Sequence, residues 1–272
     1  MNRLIQEKIV SQNNPLVKKM AQLLQKKYRQ ETGYFLVEGL RTVEEAVEAG
    51  QVQSLFYVPE EGERLQKLLH KAAAASIKIY EINSQVLAKI SDTTTPQGIV
   101  ACTKQQRTSL KGMAEVAARA AGPLVVVDRL QDPGNLGTLL RTADAVGAAG
   151  MIVLAGTVDV FSSKVVRASM GSLFHVPVCG PIDEEELIDW CSKQGIRMAA
   201  TTLEASRSIY QADLTGKLAL VIGNEANGVS ENLLQQSSLQ LHIPMPGKAE
   251  SLNAAMAAGI ILFESLRQRI CS

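Results

Sequence analysis

Two short runs constrain this chain more than anything else in it. Leu124-Val125-Val126-Val127 and Leu218-Ala219-Leu220-Val221-Ile222 contain no polar side chain. A strand with one face in water alternates apolar and polar residues, whereas an unbroken apolar run is a strand covered on both faces. Such strands belong to a sheet sandwiched between helices. After the first run, Leu136, Leu139, Leu140 and Ala143 recur at helical spacing, which predicts a helix over 136–146 with Asn135 as its N-cap. A last strand over 239–243 runs into Ile243-Pro244-Met245-Pro246-Gly247-Lys248-Ala249-Glu250-Ser251-Leu252-Asn253. The two prolines fix φ and remove backbone donors, so this stretch continues neither as strand nor as helix. Gly247 allows a turn, and Ser251 stands where the N-cap of a terminal helix over 252–269 is expected.

The front of the chain repeats the same α/β rhythm on a smaller scale. Residues 13–31 read as one basic helix, with Pro15 in its first turn, an apolar stripe of Leu16, Met20, Leu23 and Leu24, and the cations Lys18, Lys19, Lys26, Lys27 and Arg29. Strands over 34–37, 54–58, 77–82 and 99–102 then alternate with helices over 41–49, 63–75 and 84–90, which indicates a small α/β domain. The stretch 103–122 mixes charges with Ser, Thr, Gly and Ala and reads as a linker, with a helix over 113–120. The expected organisation is a domain over 1–106, a linker over 107–122 and a second domain over 123–272.

Composition removes several functions. Net charge is +1, so nucleic acid would have to be held by local patches, and aromatics at 4% supply no base-stacking platform. Four cysteines without a CxxC pair and three scattered histidines give no metal site and no disulfide framework. The start MNRLIQEKIV lacks the apolar core of a signal peptide, and no segment approaches a membrane-spanning length, so a reducing, cytoplasmic setting is expected.

Three segments leave a strand, pass through loop residues and begin a helix: DPGNLGTLLR (132–141), IGNEANGVS (222–230) and IPMPGKAESLN (243–253). In open α/β sheets ligands bind beyond the carboxyl ends of strands, so one crevice shared by all three is expected. GxGxxG and the GK[ST] phosphate loop are both absent, which argues against a nucleotide-phosphate site. Taken singly, Arg141 has a plain reading as a surface partner of Asp144, and Glu225 as a turn carboxylate.

Together the three segments resemble the three motifs of the SpoU family of RNA ribose 2′-O-methyltransferases, within the SPOUT superfamily. Asn135, Gly137 and Arg141 match N-x-G-x-x-x-R. Gly223, Glu225 and Gly228 match G-x-E-x-x-G. Ile243 to Asn253 match I-P-M-x-G-x-x-x-S-L-N. Ser163-Lys164 and Arg167 to Gly171 fit the family too, and the front half resembles its L30e-like substrate-binding domain. The resemblance implies a C-terminal α/β trefoil-knot domain after a smaller N-terminal α/β domain. It implies S-adenosylmethionine held near Thr201, Gly223, Ile243, Met245 and Leu252, mostly by backbone groups. It implies catalytic roles for Asn135, Arg141, Glu225, Ser251 and Asn253, with Asn135 orienting Arg141 or the ribose, and Glu225 pairing with Arg141 or fixing its loop. RNA, ribosomal rather than transfer, would meet Lys18, Lys19, Lys26, Lys27, Arg29, Lys164 and Arg167. A homodimer through the terminal helix and the first-motif helix is implied as well. The competing expectations are a transfer-RNA methyltransferase and a non-catalytic RNA-binding or ribosome-assembly protein on the same scaffold.

Overall fold

The computed structural model describes residues 7–60 and 62–271. In chain order the first elements are β1 (Glu7–Ile9), α1 (Pro15–Gln22), α2 (Lys26–Thr32), β2 (Tyr34–Glu38), α3 (Leu40–Glu48), β3 (Val52–Tyr57), α4 (Glu63–Ala74), β4 (Lys78–Ile82), α5 (Ser84–Ile90) and β5 (Ile99–Lys104). There follow α6 (Leu110–Arg119), β6 (Leu124–Val127), α7 (Pro133–Ala145), β7 (Gly150–Leu154), α8 (Ser163–Ala168), β8 (Val178–Ile182), α9 (Glu184–Gln194) and β9 (Arg197–Thr201). The last are β10 (Arg207–Ser208), β11 (Leu218–Ile222), α10 (Glu231–Gln236), β12 (Leu239–His242) and α11 (Ala254–Ile270). The chain forms two compact units. One is made of residues up to 106 together with 159–174, the other of 107–158 with 175 onward.

In the first unit the sheet order is β1-β4-β3-β5-β2. β1, β4 and β3 run parallel, while β5 is antiparallel to both β3 and β2. Phe35, Leu55, Phe56, Ile79, Ile82 and Ile90 are fully enclosed in its core. The segment 159–174, expected within the second domain, packs here instead: the rings of Phe161 and Phe174 lie 4.9 and 6.4 Å from that of Phe35.

The single basic helix expected over 13–31 is two helices, because residues 23–25 turn between them. Arg29 explains why the break is stable. Its Nη1 donates to the carbonyls of Leu23 (2.9 Å) and Leu24 (2.8 Å), the chain ends left open after α1. Its Nε and Nη2 donate to Asp159 Oδ2 at 2.9 and 2.7 Å. With the Arg29 side chain 6% exposed, this cation is an internal brace and is removed from the expected RNA contacts. Arg167 is likewise turned toward carboxylates, 3.8 Å from Glu38 and 3.5 Å from Asp92. Lys18, Lys19, Lys26, Lys27 and Lys164 are exposed.

The second unit is built on a seven-stranded sheet ordered β10-β12-β9-β11-β6-β7-β8, and every pairing in it is parallel. All residues of β6, β7 and β11 are buried, as strands covered on both faces must be. The stretch read as a linker contains α6, whose Met113 is wholly buried in this core. The strand order places the site. The chain moves outward through β6, β7 and β8, then returns on the other side of β6 to lay down β9, leaving a slot that β11 later fills. β12 then passes beyond β9. The carboxyl ends of β9, β11 and β12 thereby fall side by side, as the registers Thr201↔Leu241 and Val221↔Ala200 require.

Arg29→Ala leaves Asp159 as a buried charge without its partner, at an expected cost of about 3–5 kcal/mol in urea unfolding. Adding Asp159→Asn should recover part of that loss, since it removes the stranded charge.

Candidate active site

Both helices that open onto the site start at a cap other than the expected one, three residues earlier at the first and two residues later at the second. α7 begins at Pro133, and Asp132 is its N-cap, accepting from Asn135 N at 2.7 Å. α11 begins at Ala254, and Asn253 is its N-cap, accepting from Ala255 N (3.0 Å) and Met256 N (3.2 Å). Asn135 and Ser251 are therefore not caps. The displacement at the first helix frees the Asn135 side chain.

That side chain joins the three motifs. Asn135 Nδ2 donates to Glu225 Oε1 at 3.0 Å, and Asn135 Oδ1 accepts from Asn253 Nδ2 at 2.8 Å. An ionised carboxylate only accepts, so Glu225 dictates which end of Asn135 faces it. Asn135 then dictates the orientation of Asn253, whose remaining oxygen is the one that caps α11. Glu225 also accepts from Gln131 N (3.2 Å) and Asp132 N (3.1 Å), pinning the approach to α7. Burial pushes the Glu225 carboxyl upward, but the bonds from Asn135 and from backbone N–H groups outweigh it and hold the group below its ordinary 4.5.

The Glu225 loop itself is shaped by Asn224. Backbone bonds between Asn224 and Gly228, 3.0 and 2.9 Å, close it in both directions. Asn224 Oδ1 accepts from Ala226 N and Asn227 N, and its Nδ2 donates to Arg129 O. A Cβ at Gly223 would lie 2.2 Å from the Gly228 carbonyl carbon, so no other residue fits there. Asp128, at the end of β6, is fully buried and supports the same region by accepting from Arg129 and from Ser230 N. Sequence reasoning passed over Asp128, Asn224 and Asp132. The available signal was a carboxylate or amide directly after an all-apolar strand or before a helix-starting proline.

A cleft of about 510 Å³ opens between the second and third motifs, a size typical of small-ligand sites. Thr201, Gly223, Ile243, Met245 and Leu252 all line it, together with Ser251 and Glu225. Asn135 and Arg141 do not. The crevice expected to be common to three loops is thus lined by two of them, and the first motif reaches it through the Asn135–Glu225 bond. The lining includes Glu204, Glu225 and Glu250 and neither Lys nor Arg, which suits a ligand carrying positive charge and disfavours a polyphosphate.

Arg141 is where the geometry departs furthest from expectation. At roughly 100° per residue it lies about 120° round α7 from Asn135. It is exposed and pairs with neither Glu225 nor any other described residue, while Asp144 instead faces His175 at 3.0 Å. Neither Asn135 nor Glu225 orients it.

An α/β protein with an acidic, ligand-sized cleft at the carboxyl edge of a parallel sheet is the class these features define. Comparisons with known proteins agree. The model of the SpoU rRNA Methylase family matches residues 122–263, and that of the MRM3-like substrate binding domain matches 14–101. The chain is 34% identical over 257 residues to the Bacillus subtilis 23S rRNA (guanosine(2553)-2'-O)-methyltransferase RlmP, covering 94% of this chain and 98% of that one. It is 32% identical to the 23S rRNA (uridine(2479)-2'-O)-methyltransferase of Streptomyces viridochromogenes, covering 97% and 93%. The structure of an AdoMet-bound rRNA methyltransferase from Sinorhizobium meliloti matches with a TM-score of 0.87 at 36% identity, covering 97% of this chain and 98% of that one. The chain belongs to the SpoU rRNA methylase family, and its α/β fold is that of SPOUT methyltransferases.

Because the Glu225 carboxyl is depressed, the order it confers is complete above about pH 4.5 and is lost as pH falls through the lower folded value. Hydrogen-exchange protection of the Gln131 and Asp132 amides should fall over that acid range. In Glu225→Gln it should be low throughout and independent of pH there. Protection that stays constant in the unsubstituted protein would contradict this role for the carboxylate.

Proposed function

We propose that this protein transfers the methyl group of S-adenosylmethionine to a ribose 2′-hydroxyl in 23S ribosomal RNA. The observation that carries the reading is the bonded line Glu225–Asn135–Asn253, which joins all three family motifs beside an acidic, cation-free cleft. The cleft suits S-adenosylmethionine on two counts: its volume, and carboxylates that face a sulfonium and an ammonium. Backbone groups of Gly223, Ile243, Met245 and Leu252 hold the cofactor, with Thr201 at the strand end, and Pro244 and Pro246 keep the wall rigid before it arrives. Bound there, the cofactor supplies an electrophilic methyl on a positively charged sulfur. The ribose hydroxyl that receives this methyl group would release its proton to solvent.

Positioning supplies much of the rate. Asn135 and Asn253 fix the first and third motifs against each other, and Ser251 sits at the cleft wall where it reaches the nucleotide. Arg141 carries a guanidinium, all donors and no acceptor, so it is assigned as a donor and not as a base. Exposed and unpaired, it is free to hold an RNA phosphate and to stabilise the alkoxide charge as it develops. Lys18, Lys19, Lys26, Lys27 and Lys164, all exposed, extend the contact with RNA, and the salt dependence of binding measures how many take part.

Two features of the assembly belong to the same reading. In this reading the C-terminal segment threads a loop of the second unit to form a trefoil knot, and the late entry of β11 between β6 and β9 is compatible with that path. It pairs with a second copy through α11: Met256, Phe263 and Ile270 are exposed at seven-residue intervals on a helix that also packs on α7. A single-chain mass in sedimentation equilibrium would refute the pairing.

Labelled methyl should pass from the cofactor to deproteinised 23S rRNA from cells lacking the protein. Arg141→Ala should lower turnover at least about 100-fold, the scale of losing one transition-state donor. Its S-adenosylmethionine affinity by calorimetry should hold. Loss of cofactor binding in that variant would mean that Arg141 supports the fold.

A further inference from the structure

One residue beside the site has a backbone its side chain does not favour. Arg129 has φ +53, a left-handed conformation that L residues with a side chain rarely adopt. Among the described residues Ser76 and Met170 share this trait, and both lie in the first unit. Arg129 lies two residues after the end of β6, between the buried strand and the first motif.

The conformation is imposed from several directions. Arg129 O accepts from Asn224 Nδ2 and from Gln131 Nε2, each at 2.8 Å, so the second and first motif loops both close onto it. Its guanidinium is forked onto buried Asp128, with Nε to Oδ1 at 2.7 Å and Nη2 to Oδ2 at 3.0 Å. Its Cγ lies over Gly156, where a Cβ would come within 3.2 Å. This fixes the whole side chain, yet 39% of it stays exposed, and Nη1 has no partner among the described residues. Pairing with Asp128 does not itself call for a left-handed backbone, and the fork through Nε and Nη2 leaves Nη1 uncommitted. Strain maintained in this way marks functional positions.

We propose that Arg129 is an RNA-contact residue, its free guanidinium edge donating to a backbone phosphate close to the nucleotide being methylated. The inference rests on the reading of the site as an RNA methyltransferase. Asp128 and Glu184 oppose the charge, so the contact is a directional hydrogen bond from a preset fork more than a bulk attraction.

The test compares Arg129→Gln and Arg129→Lys in the full chain. Both keep a side chain at the same φ, so backbone strain is held constant while the fork is lost. Deproteinised 23S rRNA is titrated by filter retention across a salt series, and S-adenosylmethionine by calorimetry. Arg129→Gln is expected to weaken RNA binding about tenfold and to reduce the salt slope by about one. Arg129→Lys should also lose affinity, since an ammonium cannot keep both the Asp128 fork and a directed donor. Cofactor affinity should be unchanged in both. If Arg129→Gln unfolds, the pair Asp128→Asn with Arg129→Gln removes the stranded charge and takes its place. Wild-type RNA affinity and salt slope in a folded variant would overturn the proposal, as would weakened cofactor binding with RNA binding intact. If the unsubstituted protein fails both to bind 23S rRNA and to methylate it, the functional reading itself falls, and this inference with it.

Discussion

A carboxylate can accept hydrogen bonds and cannot give them. From that one-way rule the geometry of the catalytic region follows. Glu225 lies on a loop closed tightly enough that only glycine fits at 223, and it receives from the Asn135 amide and from two backbone N–H groups before α7. Because the partner at one end is fixed, each side-chain amide further along has a single orientation. The last oxygen in the line satisfies the open N–H groups of α11. Three loops from distant parts of the chain are thereby aligned by a polarity that cannot run backwards. Substituting an amide by its acid at either asparagine would break that direction without changing shape.

The sheet order makes this alignment possible. The observed order puts β9 between β11 and β12, so the cleft between the second and third motifs also takes in the end of β9 with Thr201. The cleft they form is acidic and free of cations, in keeping with a cofactor whose reactive atom is positively charged. The two arginines flanking the first motif, 129 and 141, lie outside its lining. In the proposed reading the second unit thus separates a surface for a cation from a surface for a polyanion.

Much of this was legible beforehand, for physical reasons that can be named. Strands buried on both faces have no choice but to be apolar, so β6 and β11 are visible in the residue string. Prolines and glycines mark the loops that cannot be regular, so the three motifs stood out in their places. The caps were not legible. Asn, Asp and Ser have nearly equal N-cap preference, and Asp132 and Asn253 prevail over Asn135 and Ser251 through bonds to residues about a hundred positions away. Arg29 reads as one more surface cation until Asp159, 130 residues on, is found beside it. Of the two roles expected of Glu225, pairing with Arg141 is not seen, since Arg141 lies about 120° round α7 from Asn135, which Glu225 does bond.

The segment 159–174 has a consequence for how the protein can be taken apart. The backbone leaves the second unit after residue 158, contributes Asp159, Phe161 and Phe174 to the first, and returns at 175. The first unit is therefore a two-piece object in sequence, and no single cut releases it whole. A fragment ending at 106 would keep Arg29 but lose the carboxylate it is buried against, and Phe35 would lose two aromatic neighbours. The second unit, expressed alone by deleting the front, would carry a stranded loop of side chains selected for another core. In genetic terms, an exchange made at residue 106 would part the first unit from a piece of its own core that is encoded beyond residue 158.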